Sequence, residues 1–452
     1  MPDESAGLQE ALRYPLFNAI FQRRSRRISK GIASVPAGSL SYTSSQEPQP
    51  LTPLEEAILI AATGITGIPM HDMPFETADG RKIPVGTPML EMTGRAASSP
   101  DNAQATHFFL INDEGTYFLK RPEGLDPYNL SQGELTPSKL IEYAEKCKVK
   151  VLDHRLDFPR VFPCYIGANG YISNLPGTTV LQPIVDMTKQ YINGLMYVLA
   201  QEEGQRPVFL DDWNFYRPAG VKRWVKNGYL NKQIPLPLGQ LGTLRTDYEA
   251  HLLLQNLLLV IQAMGLGGWY HAGLYGPLLL GDADYQKRYG PGLGFRFETP
   301  KKTLLRALRK PITPLPAWRP NPVGLDGVIE GFCPPYYATM SDAVDALLDT
   351  KYGEKGIYKR GGNFERGFKE GLGSRFLDEV PHYPQEVIEC AKSICNYIYN
   401  TYGRFPAHVD AMYVPGVWVQ AHHLDLGYYD QLFSGGYTET QANHQRLWHG
   451  GE

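Results

Sequence analysis

The chain has 452 residues, a net charge of −3 and 42% hydrophobic residues, enough length for about three average domains and for a large core. With no basic excess it carries no footprint for nucleic acid and no polybasic membrane patch. Five scattered cysteines, Cys147, Cys164, Cys333, Cys390 and Cys395, do not make a disulfide framework. The N-terminus lacks a basic-then-apolar leader, and no apolar run is long enough to span a bilayer. A cytoplasmic protein is expected. The 28 tyrosines, 36 prolines and 46 glycines point to many ordered turns rather than disorder.

Taken in order, Leu12 to Phe21 has helical spacing and runs into Arg23-Arg24-Ser25-Arg26-Arg27. Guanidinium forks with a hydroxyl between them suit a phosphate, and equally a solvated basic patch. Residues 29–50 read as a loop. Thr52-Pro53-Leu54-Glu55-Glu56 is a helix start, with an N-cap, a first-turn proline and acids at the positive end of the dipole; the helix runs to Ala62. Residues 68–94 read as an irregular excursion. Ser99-Pro100-Asp101-Asn102 reads as a turn before a hairpin, 107–112 and 116–120, joined at Asp113-Glu114-Gly115. Residues 136–152 give a helix and then a strand, and 179–199 a long amphipathic helix. The aromatic stretch 204–242 is either a lid or dimer-wrapping arm, or a long structural connection.

His251 to Leu274 is the organising stretch. Apolar side chains surround almost the whole circumference of 252–261, as expected of a buried helix. Gly265, Gly267 and Gly268 stop it at a flexible corner bearing Trp269-Tyr270-His271. Residues 293–298 read as a strand, and helices are expected at 341–350 and 385–400. The boundary between a core domain (1–322) and a C-terminal extension (323–452), helical and irregular and packing on the core or on a partner subunit, falls near Pro322. His408, Asp410, His422, His423, Asp425 and Asp430 are metal-ligand residue types. Neighbouring His422 and His423 point different ways, however, so no metal ligand is assigned.

Several of these segments resemble the nitroreductase-like FMN-dependent oxidoreductases. QNLL–VIQAMGLGG, 255–268, is similar to their central helix. Arg23, Ser25 and Arg27 fall on their R-x-S-x-(R/K) phosphate pattern, with Arg24 inside it. Ser99, Asn102 and Gln104 match their R-x-A-P-S-A-G-N-x-Q-P-W element, though its proline and tryptophan are missing. Arg309 and Lys310 fall on a C-terminal R-K-P element. Leu51 to Glu56 with Ala61 to Gly67 looks like the azoline-dehydrogenase branch. That branch's Lys-Tyr pair is absent before the central helix, where Arg245-Thr246-Asp247-Tyr248 stands; Lys351-Tyr352-Gly353 occurs only in the extension.

The resemblance implies an α+β fold with a central, mainly antiparallel sheet flanked by helices. It implies FMN held at a homodimer interface by Arg23, Arg24, Ser25, Arg27, Ser99, Asn102, Gln104, Ala272, Gly273, Arg309 and Lys310. His271 is the candidate for proton transfer, against a structural histidine. The flavin would exchange hydride with a small-molecule substrate or NAD(P)H. Two other readings stay open: a flavin-free binding or scaffold protein on the same fold, and a metal-dependent enzyme using the C-terminal His/Asp cluster.

Overall fold

The computed structural model describes residues 4–67, 75–82, 89–121, 135–241, 243–274, 276–301, 304, 319–408 and 416–450. Arg309, Lys310 and Asp410 lie outside them. The chain opens with α1 (Glu4–Arg13) and α2 (Leu16–Phe21). The single helix expected over this stretch is interrupted at Pro15, whose missing N–H and ring cannot continue a helix. Helix α3 (Pro53–Ala61) starts as expected, with a capping box between Thr52 and Glu55. The hairpin is present as β1 (Thr106–Asn112) and β2 (Gly115–Leu119), followed by α4 (Pro137–Cys147) and β3 (Lys148–Leu152).

The expected helix over 179–199 divides into β4 (Thr178–Val185) and α5 (Thr188–Leu199). Every residue of β4 is buried, so the strand covers both faces and shows no period-2 pattern. Its apolar run therefore could not be told from a buried helix. Helix α6 (Thr243–Met264) is longer than expected and ends at Gly265, which takes φ +78. It is not buried all round: Tyr248, His251, Leu252 and Gln255 form an exposed stripe. In place of a corner after it, the chain forms a regular strand, β5 (Gly267–Leu274).

The later elements used below are α7 (Met340–Tyr352), α8 (Gln385–Tyr402), β6 (Gly416–His422), α9 (Leu426–Leu432) and α10 (Glu439–His449). The central sheet has the order β5-β6-β4-β1-β2-β3 and is antiparallel throughout. The fold is thus α+β with a central antiparallel sheet.

The boundary expected at residue 322 is not a boundary in the sheet. β6, from the extension, lies between β4 and β5. Helix α6 packs under the sheet with α1, α3 and α10 against it. Leu54, Leu253, Leu257, Ile261, Val419 and Trp448 share that core. A second core joins α5, α7 and α8 to residues 208–241. That stretch forms its own three-stranded sheet, Pro207–Asp211, Arg217–Pro218 and Asn231–Pro237. It buries Phe209, Trp224 and Leu238, so it is packed structure rather than a lid. Among the described residues no helix is long and apolar enough to cross a membrane.

Candidate functional site

The arginine-rich segment lies beside β5. The Arg26 backbone N–H donates to the Gly268 carbonyl at 3.1 Å. The Arg27 backbone N–H donates to the Tyr429 hydroxyl at 3.1 Å. The Arg27 guanidinium stands 5.0 Å from the centre of the Trp269 ring, within cation–π range. Arg24 turns back on its own turn and donates to the carbonyls of Phe21 and Arg23 at 2.9 and 2.8 Å. Ser25 and Arg27 are exposed and Arg23 is half-buried, so this strip presents cations and a hydroxyl to solvent.

Behind the strip, alternation along β5 puts Trp269 and His271 on one face, opposite Gln420 and Trp418 of β6. The His271 ring sits 5.1 Å from Trp269 and 4.7 Å from Trp418. All three are buried. The Trp269 Nε1, the Trp418 Nε1, both His271 ring nitrogens and the Arg26 Nε have no hydrogen-bond partner among the described residues. Buried polar atoms rarely stay unpaired, so this concentration is what a bound polar ring or trapped water would satisfy. Burial, and then the positive charge of Arg27, lowers the His271 pKa to about 4. The imidazole is therefore neutral near pH 7. Ala272 and Gly273 continue β5 beyond it.

Ser99, Asn102 and Gln104 lie elsewhere. Trp269 shares its row of the sheet with Gln420, Val180 and Ile111. The Ser99–Gln104 loop enters β1 at Thr106, five residues back (111 − 106) and three strands across. That is on the order of 20 Å by ordinary strand dimensions. The loop's polar groups are also engaged internally. The Asn102 amide donates to the carbonyls of Glu91 and Thr93 at 2.6 and 2.8 Å. Gln104 donates to Thr93 and to the Asn102 Oδ1. Ser99 donates to Glu249 and accepts from the Gln104 N–H.

Glu249 is the hub, also taking Arg95 at 3.0 Å and the Thr106 N–H at 2.8 Å. Beside it lies a charged cavity of 180 Å³ lined by Gln104, His107, Arg121, Asp186, Lys189 and Glu91, among others. That is below the ordinary range for an organic-ligand pocket, roughly 300–1,000 Å³. Lys351, of the displaced Lys-Tyr pair, is fully buried, and desolvation lowers its pKa to about 7.

Among the described residues, the C-terminal His/Asp residues do not converge. His408 is buried against Phe295, its segment bridging Asp186. Asp425 caps α9 and accepts from Tyr42 and Ser44. Asp430 accepts from Tyr437. Among the described residues only His423 meets other ligand-type side chains. They are Glu55, read in the sequence as a first-turn acid, and His444 and His449, which were not singled out. The available signal was that four of the eleven histidines fall between 422 and 449.

No protein-family model matches the chain, and no curated protein does. Among solved structures it is similar to one from Ralstonia eutropha JMP134 described as a "putative nitroreductase". The match is 14% identical, covers 57% of this chain and 70% of that one, and has a TM-score of 0.25.

Proposed function

We propose that the chain is an FMN-dependent oxidoreductase that exchanges hydride between the flavin and a small organic substrate or NAD(P)H. One observation carries this reading: the Arg23–Arg27 strip, exposed at Arg24, Ser25 and Arg27, borders buried ring nitrogens that lack partners among the described residues. The donor chemistry fits a planar ring with a phosphate tail. Arg23, Ser25 and Arg27, with Arg24 beside them, hold the phosphate as forked cations and a short donor. Trp269, His271 and Trp418 would offer N–H groups to the ring edge, and Ala272 and Gly273 follow in the same strand. FMN supplies the hydride chemistry when bound. His271, being neutral, gives or accepts a hydrogen bond there rather than delivering a proton as an acid.

The Ser99–Asn102–Gln104 loop is too far away to serve the same ring within one chain. It joins the site only if a second copy brings it there. A homodimer is part of the proposal, supported by unpartnered apolar surface on the helices that lead into the arginine strip. Leu16, Phe17 and Phe21 of α2 are 63%, 68% and 67% exposed, and α2 packs on α6, whose Tyr248 and Leu252 are exposed too. A monomer seldom leaves so many large apolar side chains together.

The test is absorbance in the flavin bands on purified protein, FMN titration, and light scattering on the same sample. Bound FMN is expected in a particle of twice the chain mass. Arg27→Glu should weaken FMN binding by roughly tenfold or more, since it inverts a phosphate-facing charge, with circular dichroism unchanged. Colourless protein that stays apo in excess FMN would leave a flavin-free binding protein as the reading.

A further inference from the structure

We propose that Glu55, His423, His444 and His449 form a binding site for a divalent transition-metal ion, with zinc as the first ion to test, and that this ion fastens the C-terminal segment to the N-terminal half of the molecule. The site is independent of the flavin reading and lies on other elements.

Glu55 stands in the first turn of α3, His423 directly follows β6, and His444 and His449 sit on α10. The Glu55 Oε1 is 3.2 Å from the His423 Nε2, 2.9 Å from the His444 Nε2 and 3.2 Å from the His449 Nε2. The His423 and His449 Nε2 atoms are 3.1 Å apart. All four ligand atoms lie within 4.8 Å of one another. Zinc bonds of about 2.0–2.1 Å give a tetrahedron with edges of about 3.3–3.4 Å, close to the short edges here.

Glu55, His423 and His444 are each oriented from outside the cluster. The Thr52 N–H donates to the Glu55 Oε2 at 2.6 Å, which leaves Oε1 facing the histidines. The His423 Nδ1 lies 2.9 Å from the Gln49 carbonyl, and the His444 Nδ1 2.8 Å from the Met264 carbonyl. A carbonyl only accepts, so each Nδ1 carries the proton. In the neutral ring the Nε2 lone pair then points at Oε1. A histidine whose far nitrogen is fixed by a carbonyl is the usual arrangement around a bound metal.

Without a cation, the His423 and His444 Nε2 lone pairs would face a carboxylate oxygen at about 3 Å in a dry interior. Glu55 and His423 side chains are fully buried, His444 is 3% exposed and His449 18% exposed. Protonating all three rings instead would bury a net charge of +2, which costs heavily. One divalent ion gives every lone pair a partner. Imidazole nitrogen with one carboxylate suits zinc and its neighbours rather than calcium or magnesium. Four protein ligands make a closed, structural site, and Glu55 and His449 are 394 residues apart in the chain, so the ion closes a very long loop.

The experiment uses the full chain. Elemental analysis of protein purified without a histidine tag or chelator is expected to give about one zinc per chain, as a closed site implies. Stripping with a strong chelator should lower Tm, and zinc should restore it. Cobalt added to stripped protein should give the visible bands of a four-coordinate site. His449→Gln changes the least buried ligand and spares the fold. Glu55→Gln keeps the capping box. Each should weaken zinc binding, in competition with a chromophoric chelator, by roughly tenfold or more. Stripped wild-type protein that binds neither zinc nor cobalt overturns the proposal. So does binding that both substitutions leave unchanged.

Discussion

At the scale of single residues, Glu249 shows how a side chain far from any motif fixes a local structure. Its carboxylate takes Arg95, the Ser99 hydroxyl and the Thr106 N–H together. Arg95 and Glu249 side chains are 8% and 1% exposed, and burial lowers the Arg95 pKa to about 10 even with Glu249 raising it. Glu249→Ala leaves a buried guanidinium with its charge uncompensated and two donors without their acceptor. We expect a loss of about 3–5 kcal/mol in urea unfolding; a loss below about 1 kcal/mol would show that water reaches the site. Ser99, Asn102 and Gln104 were legible as a polar loop, because their spacing carries a turn. That their hydrogen bonds are spent on Glu249, Thr93 and Glu91 was not legible, because those partners depend on how the loop folds back. The Glu55 cluster was hidden for the same reason. His423 could be read as a ligand type, but its partners come from α3 and α10, and residue spacing says nothing about contacts across the whole chain.

Among the elements, those with local signals were legible. The capping box of α3, the hairpin of β1 and β2, α4, β3, and the helices α7 and α8 all carry caps or periodicity in their own residues. Pro15 should have divided the first helix, since a proline's effect is local. Strand β4 was misread because being covered on both faces removes alternation, leaving an apolar run that fits either structure, and β5 because Gly265, Gly267 and Gly268 read as a helix stop rather than as the start of a strand. The role of β6 was the least legible. It arrives after residue 322, and an apparent end of the core domain is only an end if no later strand returns to the sheet. β6 pairs with β5 over Gly267–Leu274 and with β4 over Thr178–Leu181. A chain ending at residue 322 loses that interior strand, and with it the edges of β4 and β5 lose their partner. We expect such a chain to be insoluble, or to lack a cooperative thermal transition. A soluble 1–322 chain with a sharp transition would mean that β4 and β5 can pair without β6.

For the whole molecule, acid stability follows from histidines that the fold keeps neutral. Burial, and then the positive charges of Arg121, Arg95, Lys189 and His408, holds His107 well below the usual imidazole range. His271 is lowered to about 4, again chiefly by burial. In the unfolded chain both would titrate near 6.5. Between pH 6.5 and the folded values, the unfolded state therefore binds more protons than the folded one. Linkage then makes the folded state lose stability as pH falls through that window, while above it the contribution is complete. At pH 5 His271 should cost about 2 kcal/mol relative to pH 7.5, at about 1.4 kcal/mol per pH unit and per proton, and His107 adds to that loss in the same direction. Urea unfolding at the two pH values measures the sum over all groups, including any acid release of a metal from the Glu55 cluster. The comparison that isolates these two sites is with His107→Gln/His271→Gln, whose amides do not titrate. The double variant should lose at least about 2 kcal/mol less than the wild type between pH 7.5 and pH 5, by the same linkage. If the two proteins lose stability in parallel, His107 and His271 are not the neutral groups that their surroundings make them.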